Sequence, residues 1–137
     1  MEIKVHIDDE LIRNLLNCAF EGGSNYWYMI ERVKFPKGFT EADYKKGGKA
    51  HIEKKHWGWQ HIVPFQKGGH LAIRTRENDE VRGKKEWKLD RKALLDGLRV
   101  MAVKFPNHFG DLISGNEDGN TGDVFLQCCL FGDAVFG

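Results

Sequence analysis

The segment Glu21–Trp27 brings glycines, hydrogen-bonding side chains and aromatic rings into one short stretch of the chain. Its glycines allow a ligand to approach the backbone closely, and Ser24 and Asn25 can donate or accept hydrogen bonds. The rings of Tyr26 and Trp27 can stack on a flat ligand. The segment therefore predicts part of a ligand-binding site. Alternatively, the glycines end a helix and the aromatic side chains fill the core, which is their usual role when buried.

The middle of the chain, residues 32–92, contains more than twice as many basic as acidic residues, whereas the parts before and after it are acidic. Aromatic residues are interleaved with these cations, and proteins hold nucleotides or single-stranded nucleic acid with such combinations of rings and charges. Ligand contacts are predicted here at Trp57, Trp59, Arg74, Arg76 and Lys85. Alternatively, the tryptophans pack in the core and the cations form a solvated rim.

The sequence lacks the motifs of common catalytic and metal sites. The polar loop 116–123 offers oxygen atoms at alternate positions, but Thr121 stands where a calcium loop needs glycine and Gln127 where it needs an acid. The histidines of the basic middle lack the spacing of zinc ligands, and no nucleophile elbow, phosphate-binding loop or dinucleotide fingerprint occurs. We therefore expect a binding protein rather than an enzyme, with no metal and no cofactor.

The apolar runs and the cysteine content of the sequence indicate the cellular compartment of the protein. No apolar run approaches the roughly 20 residues that a membrane span needs, and the first residues lack the basic-then-apolar order of a signal peptide. Cys18, Cys128 and Cys129 are too few for a disulfide framework, so we interpret them as reduced, small core residues. We therefore expect a cytoplasmic protein with no membrane partner.

Hydrophobic periodicity predicts the elements of the first half of the chain. Residues 1–7 alternate between apolar and polar and predict a strand, and residues 9–20 predict a helix capped by an aspartate and ended by glycines. An aromatic and apolar run predicts a strand near 25–34, or a continuation of the helix. The lysine- and glycine-rich stretch near 37–56 predicts a mobile, insertion-like loop.

Strands and then helices are predicted in the second half. Residues 57–63 and 70–75 predict two strands, and a short strand near Trp87 is expected to pair with them. Asp90 is expected to cap a long helix that ends before Pro106. A turn at 107–114 and a polar loop at 115–122 follow, and Thr121 is expected to cap the last helix. The chain therefore predicts one α+β domain over 1–137, with a small, largely antiparallel sheet packed against an N-terminal helix and a C-terminal helical pair.

Two segments together carry a resemblance to a known family. Glu21–Trp27, taken with 123–127 and 131–137, resembles a family of small, mostly uncharacterised proteins encoded by tailed bacteriophages and prophages. The resemblance covers the first helix and the C-terminal third. It implies an accessory protein that acts in the cytoplasm of a host bacterium, and it supplies no catalytic residues.

The last helix is apolar on more than one side, so we expect it either at the centre of the core or in the interface of a homodimer.

We expect the protein to bind an anionic ligand, a nucleotide signal or a nucleic acid, in counter-defence. One alternative is an inhibitor whose basic middle docks on an acidic host protein complex. Another is a nucleotide-acting enzyme without a recognisable motif. The site is expected where the turn at 22–27 meets the basic middle.

Overall fold

The computed structural model describes residues 5–23, 26–52 and 58–137. Within them the protein has five α-helices and one antiparallel sheet of three strands, which confirms the predicted α+β class. The strands are β1 (Tyr28–Lys34), β2 (His70–Thr75) and β3 (Glu86–Leu89). The helices are α1 (Asp9–Cys18), α2 (Trp59–Ile62), α3 (Arg91–Lys104), α4 (Pro106–Ile113) and α5 (Gly119–Phe131).

Aspartate side chains begin three of the helices. Asp8 accepts a hydrogen bond from a backbone N–H in the first turn of α1, and Asp90 does the same for α3. Asp118 caps α5 by accepting from the Thr121 N–H at 2.9 Å. These carboxylates satisfy N–H groups that lack an intrahelical acceptor, and their charge favours the positive end of the helix.

The sheet has β2 at its centre, and its register separates two faces. Leu71 pairs with Leu89, and Ile73 pairs with Trp87, so these side chains share the face that packs on the helices. Leu71, Ile73 and Leu89 are fully buried, and the Trp87 ring lies 4.8 Å from the ring of Phe131 in α5. The side chains that alternate with them point to the opposite face.

Helix α5 lies at the centre of the helical layer. It packs against α1, α3 and α4 and against β3, and Phe125 and Leu126 are completely buried although they lie on different sides of the helix. Leu126, which lies beyond the Phe125 stripe, is therefore covered within one chain, whereas Leu130 is half-buried. This arrangement is the core alternative that the sequence left open beside the dimer interface.

Several predicted elements differ from the observed ones. Residues 59–62 form α2 and not part of a strand, because a short apolar run can form either structure. Residues 106–113 form α4 where a turn was expected, and α5 begins at Gly119, before the predicted cap. The predicted N-terminal strand lies partly outside the described residues, and residues 5–8 are not in a strand.

Cys18, Cys128 and Cys129 are free cysteines in the structure, and Cys128 is buried. Burial raises the pKa of Cys128 to about 12, so this thiol is protonated and a poor nucleophile at neutral pH. In the described parts of the chain, no helix combines the length and the apolar character needed to cross a membrane.

Candidate functional site

Trp27, predicted to stack on a ligand, belongs to the core of the protein. Only 2 % of its surface is exposed, and its Nε1–H donates to Asp123 Oδ1 at 2.7 Å. Its ring stacks on Phe136 with 5.2 Å between the ring centroids. Tyr26 is exposed, and its hydroxyl donates to the other Asp123 oxygen at 3.2 Å. The arrangement of Trp27 agrees with the packing alternative.

The glycines beside this turn allow two backbones to touch. A Cβ atom at Gly119 would lie 2.9 Å from the Gly22 carbonyl oxygen, and one at Gly122 would lie 2.6 Å from the Cys18 carbonyl carbon. Both contacts are closer than real Cβ atoms allow, so the end of α1 meets the start of α5 only because these residues are glycines. The predicted contacts Ser24 and Asn25 lie outside the described residues.

The predicted meeting of this turn with the basic middle occurs through the backbone. The Arg76 N–H donates to the Trp27 carbonyl at 2.9 Å, and Met29 pairs with Arg74 in the sheet. An open groove of about 260 Å³ lies here, lined by Phe20, Tyr28, Met29, Ile30 and Arg76.

The other predicted contacts are spread over the molecule. Arg74 lies 3.8 Å from Glu31, and Lys85 lies 4.0 Å from Glu80, so each has an acidic neighbour at its side. Trp59 lies in a separate cavity, and Trp57 is outside the described residues. The fold therefore does not gather the described members of the predicted set into one pocket.

The outer face of the sheet is basic. Register places Lys34, Arg32, Arg74 and Lys88 on this face together with Glu86. Arg32 and Glu86 form an exposed ion pair at 3.0 Å, with 65 % and 40 % of their side chains exposed. Ion pairs this exposed contribute little to stability. The face is thus free to meet an anionic partner at little structural cost.

A small cavity continues this basic face at the end of the sheet. It has a volume of about 160 Å³ and lies between the turn before β2, the end of β3 and the first turn of α3. We call it the basic cavity. Its lining residues are Gln66, Lys67, Gly68, Gly69, His70, Lys88, Asp90, Arg91 and Lys92. Antiparallel pairing of β2 with β3 brings these three segments together.

The charges around the basic cavity are unbalanced. Four of its lining residues are lysine or arginine, and Asp90 is the one carboxylate among the lining residues described. The Asp90 side chain already accepts the Ala93 N–H at 2.9 Å, and it lies 3.8 Å from Lys88. Lys67 has no acidic side chain within 4 Å among the residues that the structure describes.

Two of the cations are held in place by acids outside the cavity. Arg91 binds both oxygens of Asp9 at 3.1 Å, and Lys92 lies 2.5 Å from Asp96. These pairs tie the first turn of α3 to α1 and to its own second turn. The N–H groups of a first helical turn lack intrahelical acceptors, so those of Arg91 and Lys92 can donate hydrogen bonds to a ligand. The N-terminal end of the helix also carries a partial positive charge, which attracts anions.

His70 reports the local electrostatics of the basic cavity. Partial burial lowers the pKa of this imidazole, and the neighbouring cations Lys88, Lys34 and Arg32 lower it further, against the opposing effect of Asp90. A group that carries a positive charge is thus disfavoured at this point of the surface. The part of this effect that comes from Lys88, Lys34 and Arg32, and not the part that comes from burial, also favours an anion.

Sequence reasoning missed the basic cavity. The lysines and the arginine lie in the segment recognised as basic, but Lys67 is about 20 residues from Lys88, Arg91 and Lys92, and no local motif joins it to them. The run of glycine and lysine at 67–69 was interpreted only as a connection between strands. The composition of the segment indicates its positive charge, but the spacing of its residues does not indicate that these cations meet at a cavity.

A second cavity of about 290 Å³ is lined by aromatic side chains. We call it the aromatic cavity. Its lining residues are Glu41, Tyr44, Lys45, Lys46, His51, Gly58 and Trp59. Tyr44 is 4 % exposed, and its hydroxyl donates to Gln66 Oε1 at 2.5 Å. Since Gln66 lines the basic cavity, this hydrogen bond joins the walls of the two cavities.

The described residues contain no group of three or more histidine, cysteine or acidic side chains that could hold a metal ion. Comparisons of the chain with protein families, with curated proteins and with solved structures found no significant match.

Proposed function

We propose that the protein binds a phosphate-bearing ligand, a nucleotide or a nucleic acid strand, and that the basic cavity receives one phosphate group. The supporting observation is that Lys67, Lys88, Arg91 and Lys92 line this cavity with a single carboxylate among the lining residues described, although Asp9 and Asp96 pair with Arg91 and Lys92 from outside it. That carboxylate, Asp90, caps a helix and keeps its charge beside Lys88, so Lys67 is the lining cation with no acidic side chain within 4 Å among the described residues.

The size of the basic cavity supports a phosphate group rather than a whole nucleotide. Its volume of about 160 Å³ is below the roughly 300–1,000 Å³ of sites that enclose complete small molecules. The remainder of the ligand therefore extends beyond the cavity. The outer face of the sheet, with Arg32, Lys34 and Arg74, offers cations for further phosphates of a strand.

The groups around the cavity suit a phosphate chemically. Lys67 and Lys88 are flexible point charges that can move onto an anion, and Arg91 offers a planar guanidinium already fixed by Asp9. Backbone N–H groups at the start of α3 supply directional hydrogen bonds. Binding by such contacts needs no catalytic group, which fits a nucleotide signal or nucleic acid held in counter-defence.

The test compares two lysine variants. Lys67→Gln removes a cation from the cavity, and Lys84→Gln removes an exposed one from the turn at the opposite end of β2 and β3. Affinities for inorganic phosphate, a mononucleotide and a single-stranded oligonucleotide are measured by calorimetry at several salt concentrations. Lys67→Gln should weaken binding about fivefold or more, and Lys84→Gln should have a smaller effect.

The ligands distinguish the two sources of the phosphate. An oligonucleotide that binds much more tightly than the mononucleotide, with a steep loss of affinity as salt increases, identifies a nucleic acid because several phosphates are then contacted. Equal affinities identify a nucleotide. If none of the phosphate ligands binds, or if Lys67→Gln and Lys84→Gln weaken binding equally, the proposal fails.

A further inference from the structure

We propose that the aromatic cavity binds a nucleobase, a planar heteroaromatic ring that enters between the 41–51 segment and Trp59. The inference rests on the proposed function only for the identity of the ligand, since a base is what a phosphate-bearing nucleotide or strand would bring to an aromatic site. Its geometry comes from a different part of the chain than the basic cavity.

The aromatic cavity has a rigid wall. The Tyr44 ring packs against the rings of Phe35 and Phe39, with centroid distances of 5.4 and 6.0 Å, and its hydroxyl is held by Gln66. The Phe35 ring also meets the Trp59 ring edge to face at 6.4 Å. Because Tyr44 is 4 % exposed, the ring available to a flat ligand is that of half-buried Trp59. A ring fixed by such packing loses little entropy when a ligand binds to it.

His51 lines this cavity and carries a ring nitrogen without a partner, which a ligand reaches once the imidazole turns toward the cavity. Its Nδ1 is buried and has no hydrogen-bond partner among the described residues. Burying a polar atom without a partner is unfavourable, so a ligand that supplies one gains that energy on binding. The imidazole can donate or accept at this position according to its tautomer, as the edges of nucleobases require.

The dimensions and charges of the aromatic cavity also fit a base. Its volume of about 290 Å³ is close to the lower limit of about 300 Å³ for small-molecule sites, which suits one ring system with part of its sugar. Glu41 can accept hydrogen bonds from exocyclic amino groups, and Lys45 and Lys46 lie at the rim beside the solvent. Base stacking on an aromatic wall is tolerant of sequence.

Nucleosides test the inference separately from the phosphate site, because they carry a base and no phosphate. Adenosine, guanosine, cytidine and uridine are added to the wild-type protein, and the imidazole signals of His51 and His70 and the indole signal of Trp59 are followed by NMR. At least one nucleoside should shift His51 and Trp59. The His70 signal, in the basic cavity, should move less.

Three variants complete the test. His51→Phe keeps a ring and removes its nitrogens, and we expect it to lower nucleoside affinity about tenfold. Trp59→Leu should lower it by a similar factor or more through lost stacking. The matched control, Lys84→Gln, lies outside the lining of both cavities and should leave nucleoside affinity unchanged. Thermal melting confirms that each variant is folded.

The two proposals fail in different ways. If no nucleoside shifts Trp59 or His51 while inorganic phosphate still shifts His70, the base site is refuted and the phosphate site stands. If nucleosides bind and His51→Phe weakens them while phosphate has no effect at His70, the aromatic site stands and the proposed function fails. Nucleoside binding that neither His51→Phe nor Trp59→Leu weakens also overturns the inference.

Discussion

The indole Nε1–H of Trp27 donates to Asp123 Oδ1 at 2.7 Å and joins the turn after α1 to the first half of α5. The two residues are 96 positions apart in the chain. Gln127, one turn later in α5, accepts the N–H groups of Val135 and Phe136 at 2.6 and 2.8 Å, which brings the C-terminal tail back onto Trp27. Trp27, α5 and the C-terminal tail thus meet at one structural junction.

Loss of this junction should destabilise the protein. Asp123→Ala leaves the Trp27 N–H buried without its acceptor, so we expect the free energy of unfolding to fall by about 1–3 kcal/mol. Asp123→Asn keeps one carbonyl oxygen and should lose less. Chemical denaturation followed by intrinsic fluorescence measures both. An Asp123→Ala protein as stable as the wild type would show that the hydrogen bond is energetically unimportant.

A methyl group at Gly122 should also destabilise the protein. The added Cβ would lie 2.6 Å from the carbonyl carbon of Cys18, so α1 and α5 must move apart, and we expect a loss of about 1–3 kcal/mol. Gly110 in α4 has no atom within 4 Å of an added Cβ. Gly110→Ala is therefore the matched control and should stabilise by about 0.5–1 kcal/mol through helix propensity. Equal effects of the two substitutions on thermal unfolding would contradict the packing argument.

Stability should fall in acid because of His61. This residue is fully buried, and burial lowers its pKa from 6.5 to about 4, against a smaller raising effect of a backbone hydrogen bond with Gly58. Between these values the unfolded chain binds a proton and the folded protein does not, so stability decreases as the pH falls from about 6.5 toward 4. The contribution is about 3 kcal/mol when complete.

Urea denaturation at pH 7.5 and 4.5 checks this prediction with His61→Gln as the comparison. The variant cannot titrate in this range, so the loss of stability on acidification should be smaller than in the wild type. Other carboxylates and histidines contribute equally to both proteins and cancel in the difference. Parallel losses in the two proteins would assign the acid sensitivity to groups other than His61.

Phosphate should raise the pKa of His70. The pKa of this imidazole is lowered by partial burial and by Lys88, Lys34 and Arg32, and an anion in the basic cavity opposes the effect of these cations. By linkage, phosphate should bind more tightly as the pH falls through the pKa of His70. NMR titration with and without phosphate measures the shift. His108, beyond the other end of α3, is the control and should not respond to phosphate.

Local sequence patterns were enough to predict the helices and strands that have a clear hydrophobic period or recognisable capping residues. The α3 helix begins after Asp90 and ends before Pro106, as a capping aspartate and a terminating proline require. Strand β2 at 70–75 was also predicted correctly. The segment around Trp59 was wrongly assigned to a strand because a short apolar run has no period that separates strand from helix.

Tertiary structure alone decided what the aromatic and basic residues do. A tryptophan beside glycines looks the same in a sequence whether it faces a ligand or an aspartate such as Asp123, 96 residues away. Lys67, Lys88 and Arg91 became neighbours through the pairing of β2 with β3 and the turn into α3. The sequence by itself therefore determined composition, charge and local periodicity, whereas strand register and helix packing decided where the charges meet, because these depend on contacts between residues far apart in the chain.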